Sequence, residues 1–431
     1  MPSKRRVLVL SLDAIGPGMA GVAIRAVEVA QALAPHADVT LAAARRSGDV
    51  DLGLPVVDFD RHDGRSLARH LDGVDAVVCQ PQWPLVARVL RRSAARLVYD
   101  LSGPDPLEML ELLAGAPAWR RRLITAATTD RVVQALRDGH HFTASTERQL
   151  DLWIGTVLGA GLLTPRAYAA DPSFASRMAL VPFGVPEEPP RRSAGPGLRG
   201  TVAGIEKGDE VILWNSVAWG WLDPDTAVEA IALLAPRRPR ARLVFLSPAD
   251  ASRPAGIEGT HRARALAARR GLLGSSVLFH ETWVPYAERG DWLLDADCAV
   301  ACHTLHLETR FAFRTRYLDC LWAGLPLVCT QGDVLAERVE REDLGATVPP
   351  RDAAALAAAL EQVLERGRDG YAAPLARAAE RRRWSVVTRP LVELVLGDTR
   401  PPRLGDGVPR RPGHALRAAA YCAVKRLTPT A

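Results

Sequence analysis

The sequence lacks any apolar run long enough to cross a bilayer, although 48% of its 431 residues are hydrophobic and 24% are charged. This composition is typical of a soluble globular protein, and the length is sufficient for two domains. The opening stretch MPSKRRVLVLSLDAIG resembles a signal peptide only superficially, because its apolar run is short, contains Asp13 and leads into a glycine loop. We therefore expect the protein to stay in the cytoplasm.

Cysteine is scarce, with six residues scattered at positions 79, 298, 302, 320, 329 and 422. Cys298, Cys302, His303 and His306 resemble the ligand set of a zinc site. However, DCAVAC is typical of a buried strand, in which Cα atoms four residues apart are separated by roughly 13 Å. We therefore expect no metal site and predict reduced thiols in the core.

Lysine is nearly absent, so the 55 basic residues are almost all arginine, and the net charge is +6. A solvated arginine-rich surface explains this composition. An anionic partner such as a phosphate, an acidic glycan or a membrane face explains it equally well. No basic helix with interleaved base-reading residues is present, so nucleic acid is not expected as a partner.

Short apolar segments alternate with amphipathic helical segments along both halves of the chain. The predicted strands include RVLVLSL, DVTLAAA and RLVYDLS in the first half, and EVILWNS, ARLVFLS, CAVACH and LPLVCT in the second. This alternation predicts parallel sheets with helices on both faces. The predicted fold class is α/β, with two Rossmann-like, doubly wound domains that face a cleft and bind ligands at the carboxyl ends of their strands.

A stretch rich in proline, glycine and charge separates the two halves, from about Pro182 to Asp209. The predicted organisation is a first domain over residues 1–190, a linker over 191–208, a second domain over 209–385 and a tail over 386–431. We expect a short basic helix in the tail, which either packs back on the first domain or contacts a membrane.

Two places in the first half are candidate ligand contacts. Gly16, Gly18 and Gly21 lie between a strand and a helix, where glycine permits close approach of a ligand and the helix start favours an anion. Their spacing departs from the dinucleotide-binding fingerprint, and a structural turn explains them equally well. Asp100 ends a predicted strand, where it could orient or deprotonate an acceptor hydroxyl or simply cap a turn.

The loop WNSVAWGWLDP follows the first strand of the second half and contains Asn215 and Trp219. A tryptophan cluster is typical of a core, but its place at the carboxyl end of a strand makes both residues candidate ligand contacts. Asp223 or Asp225 is predicted to cap the next helix, with Pro224 near its first turn.

The segment HLETRFAFRTRYLDCLWAGLP carries the densest charge of the second half beside an apolar strand. We predict a helix from Phe311 to Ala323, ended by Gly324 and then Pro326. Buried charges are costly unless they pair with each other or bind a ligand.

The charged residues of this segment suit a diphosphate sugar. Amides at the helix start near Phe311, together with Arg314 and Arg316, would bind a diphosphate, and Asp319 would accept hydrogen bonds from a ribose. Glu308 and Arg310 are expected in the preceding loop. A purely structural salt-bridge network explains the same charges.

This segment, with WVPYAERGDWLLDADCAVACH before it and LGATVPPRDAAALAAALEQVL after it, resembles the family 4 glycosyltransferases, and most closely the bacterial enzymes that build surface polysaccharides. The resemblance implies the two-domain GT-B architecture, with the acceptor on the first domain and the donor on the second. It further implies sugar transfer from a nucleotide-diphosphate sugar, with retention of anomeric configuration and without a metal or other cofactor. A glycan, a lipid-linked molecule or a small molecule would be the acceptor. Contact with the inner face of the membrane stays open.

The motif of that family contains two glutamates before Ala-x-Gly-x-Pro. Asp319 takes the place of the second glutamate and Phe311 that of the first, so Glu308 is expected to supply the missing carboxylate. The basic residues that the family places in the first loop of its second domain are absent here. The expected substitutes are Arg310, Arg314 and Arg316.

The resemblance implies that Glu308 holds the transferred sugar and Asp319 the ribose. Asp100 and the loop from Gly16 to Gly21 would face the acceptor, so Glu308 and Asp100 are the candidate catalytic residues. Two alternatives stay open: a nucleotide-sugar epimerase, which forms product without an acceptor, and a catalytically silent module that binds a nucleotide sugar.

Overall fold

The structure is a computed structural model that describes residues 4–193, 195–246 and 254–409. The chain forms two compact units. It passes from the first to the second between Phe183 and Gly184 and returns to the first at Trp384. The basic helix predicted for the tail, like Cys422, lies outside the described residues.

The first unit contains a seven-stranded sheet in which every pair of neighbours is parallel. Elements are numbered along the chain, and the strand order is β3-β2-β1-β4-β5-β6-β7. The strands are β1 (Arg6–Ile15), β2 (Asp38–Arg46), β3 (Val56–Asp58), β4 (Ala76–Cys79), β5 (Arg96–Asp100), β6 (His141–Ala144) and β7 (Met178–Leu180).

The helices of the first unit connect these strands, and two more follow where the chain returns. They are α1 (Gly21–Leu33), α2 (Gly64–Ala68), α3 (Pro84–Arg92), α4 (Asp105–Leu112), α5 (Ala118–Asp138), α6 (Glu147–Gly159), α7 (Pro165–Ala170), α16 (Trp384–Val387) and α17 (Arg389–Leu396).

The second unit contains a six-stranded parallel sheet with the order β10-β9-β8-β11-β12-β13. The strands are β8 (Glu210–Trp214), β9 (Ala241–Leu246), β10 (Val277–His280), β11 (Cys298–Ala301), β12 (Leu327–Thr330) and β13 (Gly345–Val348). The helices are α8 (Gly197–Thr201), α9 (Pro224–Leu234), α10 (Pro254–Arg269), α11 (Arg289–Leu294), α12 (Leu307–Phe311), α13 (Arg316–Trp322), α14 (Val334–Glu342) and α15 (Ala353–Glu380), with a 3₁₀ turn over Tyr286–Glu288.

The central strands are apolar and covered on both faces. Every residue of β4, β5, β6 and β12 is buried, as expected for a parallel sheet between two helical layers. The α/β fold class with two doubly wound sheets is therefore confirmed. No helix of residues 4–193, 195–246 and 254–409 is long and apolar enough to cross a membrane.

Residues 191–208, which composition suggested as a linker, belong to the second unit. Arg192 forms an ion pair of 2.7 Å with Asp295, and the backbone N–H of Ser193 donates to Asp291 at 2.7 Å. These buried carboxylates fix the segment to the second unit, because leaving them without partners would cost free energy.

Strand order places the ligand-binding edge of each sheet. In the second sheet the order reverses between β8 and β11, and ligands of doubly wound sheets bind outside the carboxyl ends of such strands. The loop after β8 begins at Asn215, and the loop after β11 leads to Glu308.

The helix predicted from Phe311 to Ala323 is wrong in its first half. Instead, α12 ends at Phe311, Ala312 is extended with a ψ of 153°, and α13 begins only at Arg316. The consequence is that Glu308 and Arg310 lie in α12 and not in a loop. A side chain six residues after Glu308 would point away from it on a continuous helix, so pairing Glu308 with Arg314 requires this break.

Two local signals of the sequence act as predicted. Gly324 has a φ of +61° just after α13, and the N–H of Leu325 donates to the carbonyl of Cys320 at 2.9 Å, which closes a Schellman motif. Asp223, and not Asp225, caps α9: its side chain accepts from the N–H of Thr226, and Pro224 occupies the first turn.

Candidate functional site

A buried ion pair joins α12 to the segment before α13. Arg314 places Nη1 3.1 Å from Oε1 and Nη2 2.8 Å from Oε2 of Glu308, and Nη2 also contacts Oγ1 of Thr309 at 3.3 Å. Glu308 is 3% exposed. Both oxygens of this carboxylate and both terminal nitrogens of this guanidinium therefore have partners within the protein.

A second buried carboxylate lies behind this pair. Oδ1 of Asp333 accepts from the N–H groups of Leu335 and Ala336 at the start of α14, at 2.8 and 2.7 Å, while Oδ2 lies 3.9 Å from Nε of Arg314. Burial raises the pKa of Asp333, although the Ala336 amide and Arg314 oppose that shift. Burial would lower the pKa of Arg314, but Glu308 and Asp333 more than offset it and raise that pKa.

A neutral histidine borders the same cluster. His303 is 1% exposed, and burial, reinforced by the positive charge of Arg314, lowers its pKa to about 3. His306 places Nδ1 3.6 Å from Oε2 of Glu308. The carboxyl edge of β11 and β12 thus contains two acids and one guanidinium in a largely dry environment.

A second cluster surrounds Asp319 and is more open. Nε of Arg289 lies 3.2 Å from Oδ1, Nη1 of Arg316 lies 3.4 Å from Oδ2, and Nδ2 of Asn215 lies 3.5 Å from Oδ2. Arg316 has 36% of its side chain accessible, compared with 18% for Asp319 and 12% for Arg289. The cluster gathers residues from the loop after β8, the start of α11 and α13 at the carboxyl edge of the sheet.

Arg289 is the member of this cluster that the sequence patterns did not indicate. Its guanidinium carbon lies 3.5 Å from the centre of the Tyr286 ring and 4.3 Å from that of Trp322. Nothing in the stretch YAERGDW marks this arginine, because the contact with Asp319 joins residues 30 positions apart. The one local signal is Tyr286, three residues earlier, because an aromatic ring can stack on a guanidinium.

The remaining candidates of the second unit are Trp219 and Arg310, with Phe311. Trp219 stacks on Trp221, with ring centres 5.4 Å apart and planes 10° from parallel. The hydroxyl of Thr304 donates to the carbonyl of Trp221 at 3.4 Å, which joins this loop to the one after β11. Arg310 is exposed, and its guanidinium lies 5.8 Å over the ring of Phe311.

In the first unit, Asp100 is 5% exposed and surrounded by donors. Arg25 binds both of its oxygens, at 2.6 and 2.9 Å, and the hydroxyls of Thr143 and Ser102 donate to them at 2.7 and 3.2 Å. A general base needs a free lone pair directed at its proton donor. This geometry therefore favours an anchoring role for Asp100, and its catalytic role stays a prediction.

The glycine loop after β1 has a structural explanation at one position. Gly16 has a φ of +146°, and a Cβ there would lie 2.6 Å from Oγ of Ser47. Glycine is thus required by the close approach of the loop after β2. At Gly18 a Cβ would meet only Ser47, at 3.8 Å, and Gly21 is the first residue of α1.

The thiols of the second unit belong to the core. Cys298, Cys302, Cys320 and Cys329 are buried and free, and burial raises their pKa values. Within the part of the chain that the structure describes, no group of three or more histidine, cysteine, aspartate or glutamate side chains could hold a metal ion.

Residues 216–366, which contain both clusters of the second unit apart from Asn215, match the family model described as glycosyl transferases group 1. No curated protein sequence matches the chain.

Solved structures resemble almost the whole chain in fold. WaaG, a glycosyltransferase involved in lipopolysaccharide biosynthesis, is 16% identical with a TM-score of 0.59, over 91% of this chain and 100% of that one. HepE from Anabaena is 14% identical with a TM-score of 0.64, over 91% and 100%. Sucrose-phosphate synthase from Thermosynechococcus elongatus is 15% identical with a TM-score of 0.61, over 91% and 98%.

Two doubly wound parallel sheets, together with these neighbours, define a protein of the GT-B fold class. The match of residues 216–366 to glycosyl transferases group 1 indicates the reaction, and the chain is a glycosyltransferase.

Proposed function

We propose that this glycosyltransferase takes its sugar from a nucleoside diphosphate sugar and transfers it with retention of anomeric configuration. The Asp319 cluster carries this proposal. It combines a carboxylate that suits ribose hydroxyls with a guanidinium that suits a diphosphate, that of Arg316 at 3.4 Å, and it includes Arg289 at 3.2 Å. It lies at the edge of the second sheet where doubly wound folds bind ligands.

Arg316 and Arg310 are the proposed diphosphate contacts. The sequence pointed equally to Arg314, but Glu308 binds both terminal nitrogens of that side chain. Arg316 keeps 36% of its side chain accessible, and Arg310 is exposed. Their positive charge would stabilise the leaving nucleoside diphosphate without a metal ion.

Glu308 is proposed to hold the segment between α12 and α13 in place and not to contact the sugar. It is 3% exposed, and both of its oxygens bind Arg314. The pair holds the chain break between α12 and α13, and with it the position of Arg316 at the start of α13. The proposed sugar contacts are instead the accessible groups of the loops after β8 and β11, among them Asn215 and Trp219.

The ligands bound in the HepE structures suggest which donor to test first. HepE was solved in complex with UDP and with UDP-glucose, and it shares the fold over 91% of this chain.

WaaG acts in lipopolysaccharide biosynthesis, which supports a glycan or lipid-linked acceptor and activity at the inner face of the membrane. We propose that the acceptor contacts the loop from Gly16 to Gly21 at the carboxyl edge of the first sheet.

A panel of nucleoside diphosphate sugars, beginning with UDP-glucose, tests the donor by thermal shift, because a ligand of the native state raises its apparent stability. Transfer is then assayed with sugar, lipid-linked and glycan acceptors, with and without EDTA, and the anomeric configuration of the product is read by NMR coupling constants. We expect an α-linked product from an α-linked donor and no effect of EDTA. An inverted product, or full loss of turnover in EDTA, would contradict the proposal. Conversion of donor without any acceptor would favour an epimerase.

A further inference from the structure

Arg289 is held mainly by contacts within the protein. Only 12% of its side chain is accessible, Nε donates to Oδ1 of Asp319 at 3.2 Å, and Nη1 donates to the carbonyl of Tyr286 at 2.7 Å. The guanidinium carbon also lies 3.5 Å from the centre of the Tyr286 ring and 4.3 Å from that of the Trp322 ring. Two hydrogen bonds and two aromatic contacts restrict the orientation of this planar group.

The aromatic support of Arg289 is itself fixed. Nε1 of Trp322 donates to the carbonyl of Glu188 at 2.6 Å. Gly290 lets the indole approach, because a Cβ at that position would lie 3.3 Å from the Trp322 ring and 3.0 Å from Pro190. A chain of packed groups thus runs from residues 188–190 through Trp322 to Arg289.

The fixed position of Arg289 determines which oxygen of Asp319 is available to a ligand. Arg289 occupies Oδ1, whereas Oδ2 has only long contacts, 3.4 Å to Arg316 and 3.5 Å to Asn215. Because 18% of the Asp319 side chain is accessible, Oδ2 is the oxygen that can accept a further hydrogen bond. The two arginines and one acid leave one positive charge beside that oxygen, which suits a hydroxyl group that neighbours a phosphate.

We propose that Arg289 is a positioning residue for the nucleoside of the donor: it fixes Asp319 so that Oδ2 accepts a hydrogen bond from a ribose hydroxyl. This inference rests on the proposed function, since it assumes a nucleoside diphosphate at the Asp319 cluster. Arg289 itself does not touch the nucleoside.

The test compares nucleoside diphosphates with and without ribose hydroxyls. UDP, GDP, ADP and CDP and their 2′,3′-dideoxy counterparts are titrated by calorimetry into the wild type, Arg289→Ala and Arg289→Lys. Arg264→Ala is the matched control, because Arg264 also stacks on an aromatic ring, that of Phe279 at 4.4 Å, and pairs with an acid, Glu281. Thermal unfolding of each variant verifies that it is folded.

For the nucleotide that binds the wild type, we expect removal of the hydroxyls to weaken binding about tenfold or more, as for other hydrogen bonds to charged groups. In Arg289→Ala this penalty should fall to about twofold, while the KM for the donor rises about tenfold and kcat changes little. Arg289→Lys should not restore the penalty, because an ammonium group cannot match the planar stack. Arg264→Ala should behave as the wild type.

An Asp319→Asn variant separates the failure of this inference from failure of the proposed function. If Asp319→Asn loses the hydroxyl penalty but Arg289→Ala keeps it, the positioning role is overturned and the donor site stands. If Asp319→Asn keeps the wild-type penalty, the ribose contact of Asp319 is overturned while binding of the donor nucleotide stands. If no nucleoside diphosphate binds the wild type, the inference and the proposed function are both overturned.

Discussion

Arg25 and Asp100 form a buried bidentate ion pair, with Nε–Oδ2 at 2.6 Å and Nη2–Oδ1 at 2.9 Å. The same guanidinium donates to the carbonyls of Val181 and Pro182 and lies over the ring of Phe183, 4.5 Å from its centre. Asp100 therefore orients the group that holds the last segment of the first unit before the chain enters the second.

Asp100→Asn separates this anchoring role from a catalytic one. Removing the negative charge leaves Arg25 buried without an ionic partner, which typically costs about 3–5 kcal/mol. We expect that loss in urea unfolding followed by tryptophan fluorescence, with turnover per folded molecule within about tenfold of the wild type. A variant of native stability that loses turnover more than about a hundredfold would instead identify Asp100 as the general base.

Arg314→Ala should destabilise the protein, whereas Arg316→Ala should mainly weaken donor binding. Arg314→Ala leaves Glu308, which is 3% exposed, without its counter-charge, so we expect about 3–5 kcal/mol of destabilisation together with lower turnover. Arg316→Ala removes a side chain that is 36% exposed, and its stability should stay within about 0.5 kcal/mol while the donor KM rises. Equal unfolding midpoints for the two variants would refute the assignment of Arg314 to the buried pair.

Asp333 and Asp352 provide a matched pair of helix caps. Asp352 caps α15 through one bond, to the N–H of Ala355 at 2.8 Å, whereas Asp333 caps α14 through two and also faces Arg314. Asp352→Ala should cost about 1 kcal/mol, and Asp333→Ala clearly more.

Asp333→Asn is the informative companion of these two variants, because asparagine retains the cap and removes only the charge. We expect its free energy of unfolding to lie between those of the wild type and Asp333→Ala. If Asp333→Asn were as stable as the wild type, the charge of Asp333 would contribute nothing to holding Arg314.

The protein should lose stability in mild acid because of buried histidines. Burial lowers the pKa of His140 to about 3, that of His141 to about 4 and that of His303 to about 3, with nearby arginines adding to each shift. Unfolded histidines take up a proton near pH 6.5, so the unfolded state binds more protons below that pH, and the free energy of unfolding falls as the pH falls.

The expected slope is about 1.4 kcal/mol per pH unit for each histidine between about pH 6 and 4.5, measured as urea unfolding against pH. The pKa of Asp333 is raised by burial and acts with the opposite sign, because its folded form takes up the proton first. His303→Gln should reduce the slope by about 1.4 kcal/mol per pH unit, the contribution of one proton. A free energy of unfolding that stays constant between pH 7 and 5 would show that these histidines are accessible.

The fold was predictable from the sequence because its signals are local. Strand–helix alternation, the glycine and proline after Ala323 and the aspartate before Pro224 each act within a few residues, and each has its expected structural effect. The predicted helix start at Phe311 was wrong because it relied on local signals alone. The break there accompanies an ion pair between Glu308 and Arg314, which local helix propensity does not contain.

The candidate site divides in the same way. The sequence by itself indicated the loops after β8 and β11 and the charged segment from Glu308 to Asp319, because residues at strand ends and a dense run of charge are visible in one dimension. The tertiary structure decided which charges neutralise each other. It pairs Arg314 with Glu308 and Asp100 with Arg25, and it brings Arg289 to Asp319 from 30 residues away. Electrostatic pairing depends on distance in space and on burial, and neither quantity is contained in the order of residues.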